Sequence, residues 1–175
     1  QPYGLWVRPL DGGYDVLVSD AYMAGEDARG DDIVPPLEQL DHRFQRYQVR
    51  QADGQWAATA TGAFGDTSAA GAIRVPESLF GDADNNRLLV AEEDVPTGTR
   101  LREYDLQGKY LGRDVGTGNY VAQAEGIALL RCADGSGWRL ACLRNGFRWW
   151  RPCAISIWPP PGSGRRQGKA PPRRP

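Results

Sequence analysis

The chain has 175 residues, of which 41% are hydrophobic and 25% are charged, a composition typical of a soluble globular domain with one core. No apolar run reaches the roughly 18 residues of a membrane-spanning helix, so the sequence predicts no such segment. The net charge of −1 hides a sharp division, because all 22 acidic residues lie within residues 1–137 and the remainder of the chain is purely basic.

The first predicted elements are hairpins on either side of an acidic insertion. The runs PYGLWV and YDVLVSDAY flank the turn DGG, which is typical of a β-hairpin. Residues 22–41 are acidic and contain glycine, so we predict a surface insertion with one helical turn at Leu37 to Leu40. The runs HRFQRYQVR and WAATATGAF flank ADGQ and predict a further hairpin.

The stretch from Glu77 to Asp94, ESLFGDADNNRLLVAEED, predicts a hairpin whose strands are joined at DADNN. In an antiparallel pair, Glu77 lies at the same end as Glu92, Glu93 and Asp94. Carboxylates held that close repel one another unless a cation lies between them, and a hard divalent ion with oxygen ligands at about 2.3–2.6 Å suits the set. The alternative is an exposed acidic strand end without an ion.

The later strands repeat this plan. The segments TRLREYDLQGKYLGRDV and AEGIALLRCADGSGWRLAC each predict a strand pair, and nothing before residue 138 shows a long helical periodicity. Similar strand openings begin at Tyr3, Glu77 and Glu125, and the last two are 48 residues apart. A β-propeller blade takes roughly 40–50 residues, so we predict an all-β fold, a partial β-propeller of about two to three four-stranded blades.

Three cysteines, Cys132, Cys142 and Cys153, lie near the end of this pattern. They form no CxxC pair and the chain has one histidine, so a zinc site has few ligands available. A disulfide between Cys132 and Cys142 is possible in an oxidising compartment, and free thiols are the simpler expectation.

Residues 138–175 differ in composition from residues 1–137. They hold nine basic residues, seven of the 13 prolines and four of the six tryptophans, so we predict a tail outside the fold, disordered beyond about Trp158. Its basic and aromatic run RNGFRWWR also suits nucleic-acid or membrane binding. We prefer a frameshift near Gly137 as the explanation, because a GC-rich gene read out of frame gives such a composition, and we expect neither partner.

Four segments together resemble the β-propeller phytases: PYGL at Pro2 to Leu5, ESLFGDADNNRLLVAEED at Glu77 to Asp94, YDLQGKYLG at Tyr104 to Gly112, and AEGIALLRCADGSGW at Ala124 to Trp138. The resemblance covers roughly Gln1 to Trp138 in order and spacing. It implies part of a six-bladed propeller that releases phosphate from inositol hexakisphosphate with calcium ions held on its end face. The implied partner is therefore a small phosphate ester.

The resemblance also implies roles for individual residues. Glu77, Glu92 and Glu125 match calcium ligands of the family's active cleft, with Glu93 beside them, and Tyr3 matches a tyrosine near the same site. Glu77, Glu125 and Tyr3 would act in catalysis, with calcium activating a water so that no protein nucleophile is needed. Arg74 is the nearest candidate for holding a substrate phosphate.

Departures from the family pattern leave other functions open. Gln123 stands where family members often carry an aspartate, two residues before the glutamate of the EG motif. The acidic insertion is similar to the longer Gram-negative form of the family, which implies a periplasmic or secreted location. The alternatives to a calcium-dependent phosphatase are an inactive propeller fragment and a non-catalytic binding module stabilised by calcium.

Overall fold

The computed structural model describes residues 1–94, 100–117, 123–133, 137–144 and 151–158. Within these ranges the chain consists of strands, turns and two single-turn 3-10 helices at Leu37–Gln39 and Ala83–Asn85, with no α-helix. None of the helices found there is long and apolar enough to cross a membrane. The all-β prediction is confirmed, and so is the helical turn that begins at Leu37.

The first sheet is built from two hairpins separated by the acidic insertion. Strands β1 (Pro2–Leu10) and β2 (Gly13–Asp20) form the first hairpin, and the insertion contributes the short pair β3 (Gly25–Glu26) and β4 (Asp32–Ile33). Strands β5 (Phe44–Ala52) and β6 (Gln55–Phe64) form the second hairpin. The four long strands are antiparallel in the order β1-β2-β5-β6, as both predicted hairpins require.

The second sheet contains the predicted acidic hairpin. It comprises β7 (Pro76–Asp82), β8 (Arg87–Glu92), β9 (Arg100–Tyr104) and β10 (Tyr110–Val115), which are antiparallel in chain order. The turn between β7 and β8 ends at Asn86, whose φ of 47° places it in the left-handed region that asparagine tolerates. The predicted hairpin over residues 77–94 is therefore confirmed.

The third sheet has three strands, β11 (Gln123–Arg131), β12 (Gly137–Arg144) and β13 (Arg151–Trp158), in that order. Its second and third strands are drawn from the region that the sequence assigns to a tail outside the fold. The domain division at Gly137 stays a prediction, and the tail beyond Trp158 lies outside the described residues. Cys132, just after β11, is exposed and its thiol is free.

Two apolar clusters hold the sheets together in series. The first lies between the first and second sheets, and the second lies between the second and third sheets. Their buried members are Trp6, Leu17, Phe44, Ile73, Leu79, Leu88, Val90, Tyr104 and Leu106 in the first, and Ala91, Leu101 and Ala124 in the second. Each fully buried leucine contributes roughly 1.5–3 kcal/mol of transfer free energy.

The second sheet is covered on both faces, and this explains the sequence of β8. Residues on opposite faces of a strand alternate, so Val90 reaches the first cluster while Ala91 reaches the second. A strand buried on both faces needs a continuous apolar run, and LLVA supplies one.

The first strand of each sheet lies next to the first strand of the following sheet, since β1 contacts β7 and β7 contacts β11. Serine hydroxyl groups of β2 and β7 connect neighbouring sheets at this place. Ser19 Oγ donates to the Glu77 carbonyl at 3.0 Å, and Ser78 Oγ donates to the Glu125 carbonyl. Tyr3, Glu77 and Glu125 are therefore placed close together at one end of the sheets.

Candidate metal centre

Three glutamates converge where β7 begins, β8 ends and β11 begins. Glu77 is the second residue of β7, Glu93 directly follows β8, and Glu125 is the third residue of β11. Because β7 and β8 are antiparallel, with Pro76 opposite Glu92, the start of one strand meets the end of the other. The packing of β11 against both strands brings the third carboxylate to the same place.

The carboxylates of Glu77, Glu93 and Glu125 are close enough to share one ion. One ligand oxygen from each lies within 4.8 Å of the other two. Two oxygens bound to the same calcium ion at about 2.3–2.6 Å can be at most about 5 Å apart. The spacing and the purely oxygen donor set therefore fit a hard divalent cation.

Burial and crowding change the protonation of Glu77, which is only 6% exposed. Burial is the main cause that raises its pKa to about 8, followed by the hydrogen bond and negative charge of Glu93 and by the charge of Glu125. A hydrogen bond from Tyr3 opposes this shift. Without a cation, burial and the neighbouring carboxylates therefore favour the protonated form of Glu77.

Tyr3 approaches the cluster from β1, in a different sheet, and is 59% exposed. The negative charge of Glu77 is the main cause that raises the pKa of the Tyr3 hydroxyl, with burial next and then the charge of Glu93. The hydroxyl therefore stays protonated and able to donate a hydrogen bond to the cluster.

Gln123 adds a neutral group to the same face. Its Nε2 donates to Glu93 Oε1 at 2.7 Å, and Glu125 lies two residues further along β11. The amide orients one carboxylate of the cluster without adding a fourth negative charge, which the aspartate of the family pattern would do.

Glu92 is not part of this group of carboxylates. It is fully buried, and its carboxylate accepts hydrogen bonds from the backbone N–H groups of Arg74, Val75 and Asp94 at 3.1, 3.0 and 3.3 Å. Burial raises the pKa of Glu92 to about 7, opposed by these hydrogen bonds and by the charge of Arg102. Its assignment as a metal ligand stays a prediction.

Arg74 lies in the loop that leads into β7. Its Nε is 3.7 Å from Asp94 Oδ2, and 37% of its side chain is exposed. Asp94 follows Glu93 directly, so the guanidinium is connected to the end of β8 near the cluster. A side chain with this exposure can still contact a solute, and its role in binding phosphate stays a prediction.

No protein-family model, curated protein or solved structure matches the chain. The resemblance to the β-propeller phytases therefore rests on the quoted residues. The structure brings Tyr3, Glu77, Glu93 and Glu125 together. Arg74 lies in the loop before β7, and Glu92, the last residue of β8, accepts a hydrogen bond from the Arg74 backbone N–H.

Arg43, the residue before β5, is a buried charged residue that the sequence did not predict. It is fully buried, and its guanidinium donates to the carbonyls of Asp20, Tyr22, Ile73 and Arg74. The sequence shows only that Arg43 precedes an apolar residue, Phe44, at the start of a strand pattern. In the structure both residues are buried, and a buried arginine needs hydrogen-bond acceptors. Those acceptors are backbone groups that are distant in the sequence, so the sequence could not identify them.

Proposed function

We propose that this chain carries the calcium site of a phosphomonoester hydrolase that resembles the β-propeller phytases. The observation that carries the proposal is the convergence of the Glu77, Glu93 and Glu125 carboxylates within 4.8 Å. The three glutamates come from the second and third sheets, and Tyr3 approaches them from the first sheet. The raised pKa of Glu77 supports the proposal further, because a divalent ion would stabilise the charged carboxylate, which burial and the neighbouring glutamates disfavour.

The proposal includes the finer architecture, in which the three sheets are successive blades of a partial propeller. Two of the sheets have four antiparallel strands, and their first strands lie side by side. Propeller blades have this arrangement, since the innermost strands of neighbouring blades face a common axis. A shared axis would also explain why equivalent positions, Tyr3, Glu77 and Glu125, meet at one end.

The residues around the cluster would have separate roles in binding the ion and the substrate. Glu77, Glu93 and Glu125 would hold the ion, while the Gln123 amide keeps the Glu93 carboxylate oriented through its 2.7 Å hydrogen bond. The Tyr3 hydroxyl would remain a neutral donor at the exposed side of the cluster, where a phosphate would approach. The partly exposed guanidinium of Arg74 would attract the anionic substrate.

Calcium, when bound, would supply Lewis-acid activation of water and charge neutralisation at the phosphate. The chain's own residues would therefore need to bind and orient, and none of them would need to form a covalent bond to phosphorus. A small phosphate ester such as inositol hexakisphosphate is the proposed substrate. A periplasmic or secreted location belongs to the same proposal, since calcium is plentiful outside the cell.

Calcium binding and phosphate release test the proposal together. Calcium titration of the purified chain by calorimetry should show binding, and Glu77→Gln and Glu93→Gln should each weaken the affinity by at least about tenfold. Glu38→Gln, which removes an exposed carboxylate in the acidic insertion, is the matched control and should bind as the unmodified chain does.

The hydrolysis assay uses inositol hexakisphosphate with and without a chelator. Phosphate release that is calcium-dependent and lost in Glu77→Gln supports a phosphatase. Release that is unchanged in the chelator would contradict the proposal. Calcium binding without hydrolysis would favour the calcium-stabilised binding module, and the absence of both would favour an inactive fragment.

A further inference from the structure

The loop before β7 is held by a fully buried cation, Arg43. Its Nε donates to the Ile73 carbonyl at 3.2 Å and its Nη2 donates to the Arg74 carbonyl at 2.5 Å. The remaining nitrogen, Nη1, donates to Asp20 and Tyr22 carbonyls at 3.1 and 2.6 Å, so the guanidinium also ties the loop to the end of β2. The Tyr22 ring lies 4.3 Å from the guanidinium carbon and covers it.

The same loop is held from the opposite side by a fully buried anion, Glu92. Its two carboxylate oxygens accept from the N–H groups of Arg74 and Val75 at 3.1 and 3.0 Å. The carbonyl of Arg74 thus contacts the cation while the N–H of the same residue contacts the anion. We call Arg43 and Glu92, with the backbone of residues 74 and 75 between them, the Arg43–Glu92 brace.

The brace is directly connected to two of the three clustered glutamates. Val75 is two residues before Glu77, and the Val75 carbonyl accepts a hydrogen bond from the Glu93 N–H at 3.0 Å. Glu92 itself is the neighbour of Glu93. A shift of the loop would therefore move the Glu77 and Glu93 carboxylates relative to each other, which is the distance that an ion between them would sense.

We propose that Arg43 and Glu92 are positioning residues of the metal centre, which set the separation of the Glu77 and Glu93 carboxylates without contacting the ion. This inference rests on the proposed function, since it requires a cation to bind the cluster. Groups that orient metal ligands typically affect metal affinity by about 10–100-fold when they are removed.

The alternative is that the brace stabilises the fold and has no effect on the site. A buried charge that has lost its partner is costly by itself, so stability alone does not distinguish the two roles. Arg87 provides the comparison, because it is also nearly buried and pairs with Asp82 at 3.2 Å, but it lies at the turn end of the same β7–β8 hairpin. Its loss should destabilise the hairpin and leave the loop at residues 74 and 75 in place.

The experiment is a terbium titration of the 175-residue chain, in which luminescence is sensitised by Tyr3 beside the cluster. Glu92→Gln and Arg43→Met should weaken terbium binding by about 10–100-fold. Arg43→Lys should recover part of the affinity, because an ammonium group still donates to one or two of the carbonyls. Arg87→Met should change the affinity by less than about threefold, although it unfolds at lower temperature.

Luminescence lifetimes in light and heavy water give a second readout, the number of waters bound to the ion. This number should rise in the brace variants, because a carboxylate displaced from the ion is replaced by water, and it should stay constant in Arg87→Met. A purely structural role would not produce that difference.

The outcomes separate the two proposals. If the unmodified chain does not bind terbium, the proposed function fails. If it binds, and the brace variants bind equally well with the same hydration, the positioning role is overturned. Equal weakening by Arg87→Met would also overturn it, and so would a failure of both Glu92→Gln and Arg43→Lys to fold, because the brace would then serve the fold.

Discussion

Glu92 and Glu93 are neighbours of the same residue type, yet they occupy different environments. Glu93 joins a cluster of carboxylates, while Glu92 is fully buried beneath the loop and accepts three backbone hydrogen bonds. Successive side chains of an extended chain point to opposite sides, so two adjacent residues seldom serve one site equally. The sequence predicted that both lie near Glu77, but it could not show which one faces the cluster.

The partners of Glu92 explain why that choice was hidden from the sequence. They are N–H groups of Arg74, Val75 and Asp94, and every residue except proline carries such a group. No residue type marks a backbone donor, so the burial of Glu92 depends on the path of the loop. Residue type and strand position grouped Glu77 with Glu92, Glu93 and Asp94, and Glu125 was added by the repeated strand openings and the resemblance to the β-propeller phytases.

The raised pKa of Glu77 predicts a pH-dependent stability. Its pKa is 4.5 when unperturbed and about 8 in the folded chain, so the folded state binds the proton more tightly. The contribution of Glu77 to the free energy of unfolding of the metal-free chain should therefore be fully present below about pH 4.5 and be lost as the pH rises towards about 8. Urea denaturation in a chelating buffer between pH 5 and pH 8.5 measures the slope.

The variant Glu77→Gln should make that slope shallower, since the amide does not titrate. Glu38→Gln, in the exposed insertion, should retain the slope of the unmodified chain. An unchanged slope in Glu77→Gln would show that Glu77 is not the group that holds the proton.

At the scale of elements, the hairpins were predictable and their mutual packing was not. Alternating apolar residues and turns such as DGG and DADNN identify strand pairs locally, and the structure has strands at each of these places. The contacts between β1, β7 and β11 depend on close approaches of backbone that no periodicity encodes. One such close approach is at Gly4. Its N–H donates to Ser19 Oγ at 2.7 Å, and the same hydroxyl donates to the Glu77 carbonyl.

Gly4→Ala tests whether this approach holds the first two sheets in register. A Cβ at residue 4 would lie 2.6 Å from the Glu77 carbonyl oxygen and 2.9 Å from Ser78 Cα, and these backbone atoms cannot move aside as a flexible side chain would. We expect a loss of about 1–3 kcal/mol in the free energy of unfolding, measured by urea denaturation.

Leu5→Ala, one residue along β1, is the control because the leucine is 62% exposed and should contribute little. Gly4→Ala should also separate Tyr3 from Glu77, which a lower pKa of the Tyr3 hydroxyl in a spectrophotometric titration would reveal. If Gly4→Ala is as stable as the unmodified chain, the close packing of β1 against β7 is not needed for the fold.

At the scale of the whole molecule, the sheets stack in series and leave β6 at an edge. This strand pairs with β5 in the described part of the chain, and its residues from Gln55 to Ala63 are all exposed. It contains no charged side chain. An exposed, uncharged edge strand is a template for pairing with a second chain, so we expect the protein to self-associate through β6.

Thr59→Lys should reduce that self-association, because a lysine on an edge strand opposes pairing between chains. Light scattering during concentration of the purified protein measures the effect, with Thr59→Val as a control that retains size and strand preference without the charge. If both variants associate as the unmodified chain does, β6 is not the contact.

The 48-residue spacing of Glu77 and Glu125 was the strongest indication in the sequence of the higher-order arrangement. It marked the strand openings at Glu77 and Glu125 as equivalent, and β7 and β11 are in contact in the structure. It could not give how the sheets pack, because packing depends on their surfaces and not on the repeat itself. The second strand of the pair predicted in AEGIALLRCADGSGWRLAC is β12, whereas the composition break at Gly137 did not predict β13.

The cluster of carboxylates joins side chains from the second and third sheets, with Tyr3 of the first sheet beside it. An ion bound there would link sheets that are otherwise joined at this end by apolar contacts and a few hydrogen bonds, such as those from Ser78 Oγ to the Glu125 carbonyl and from Gln123 Nε2 to Glu93 Oε1. By mass action, free calcium at a hundred times the dissociation constant would add about 2.7 kcal/mol to the free energy of unfolding. The stability of the folded chain would then depend on the free calcium concentration around it, being higher where calcium is abundant and lower where calcium is scarce.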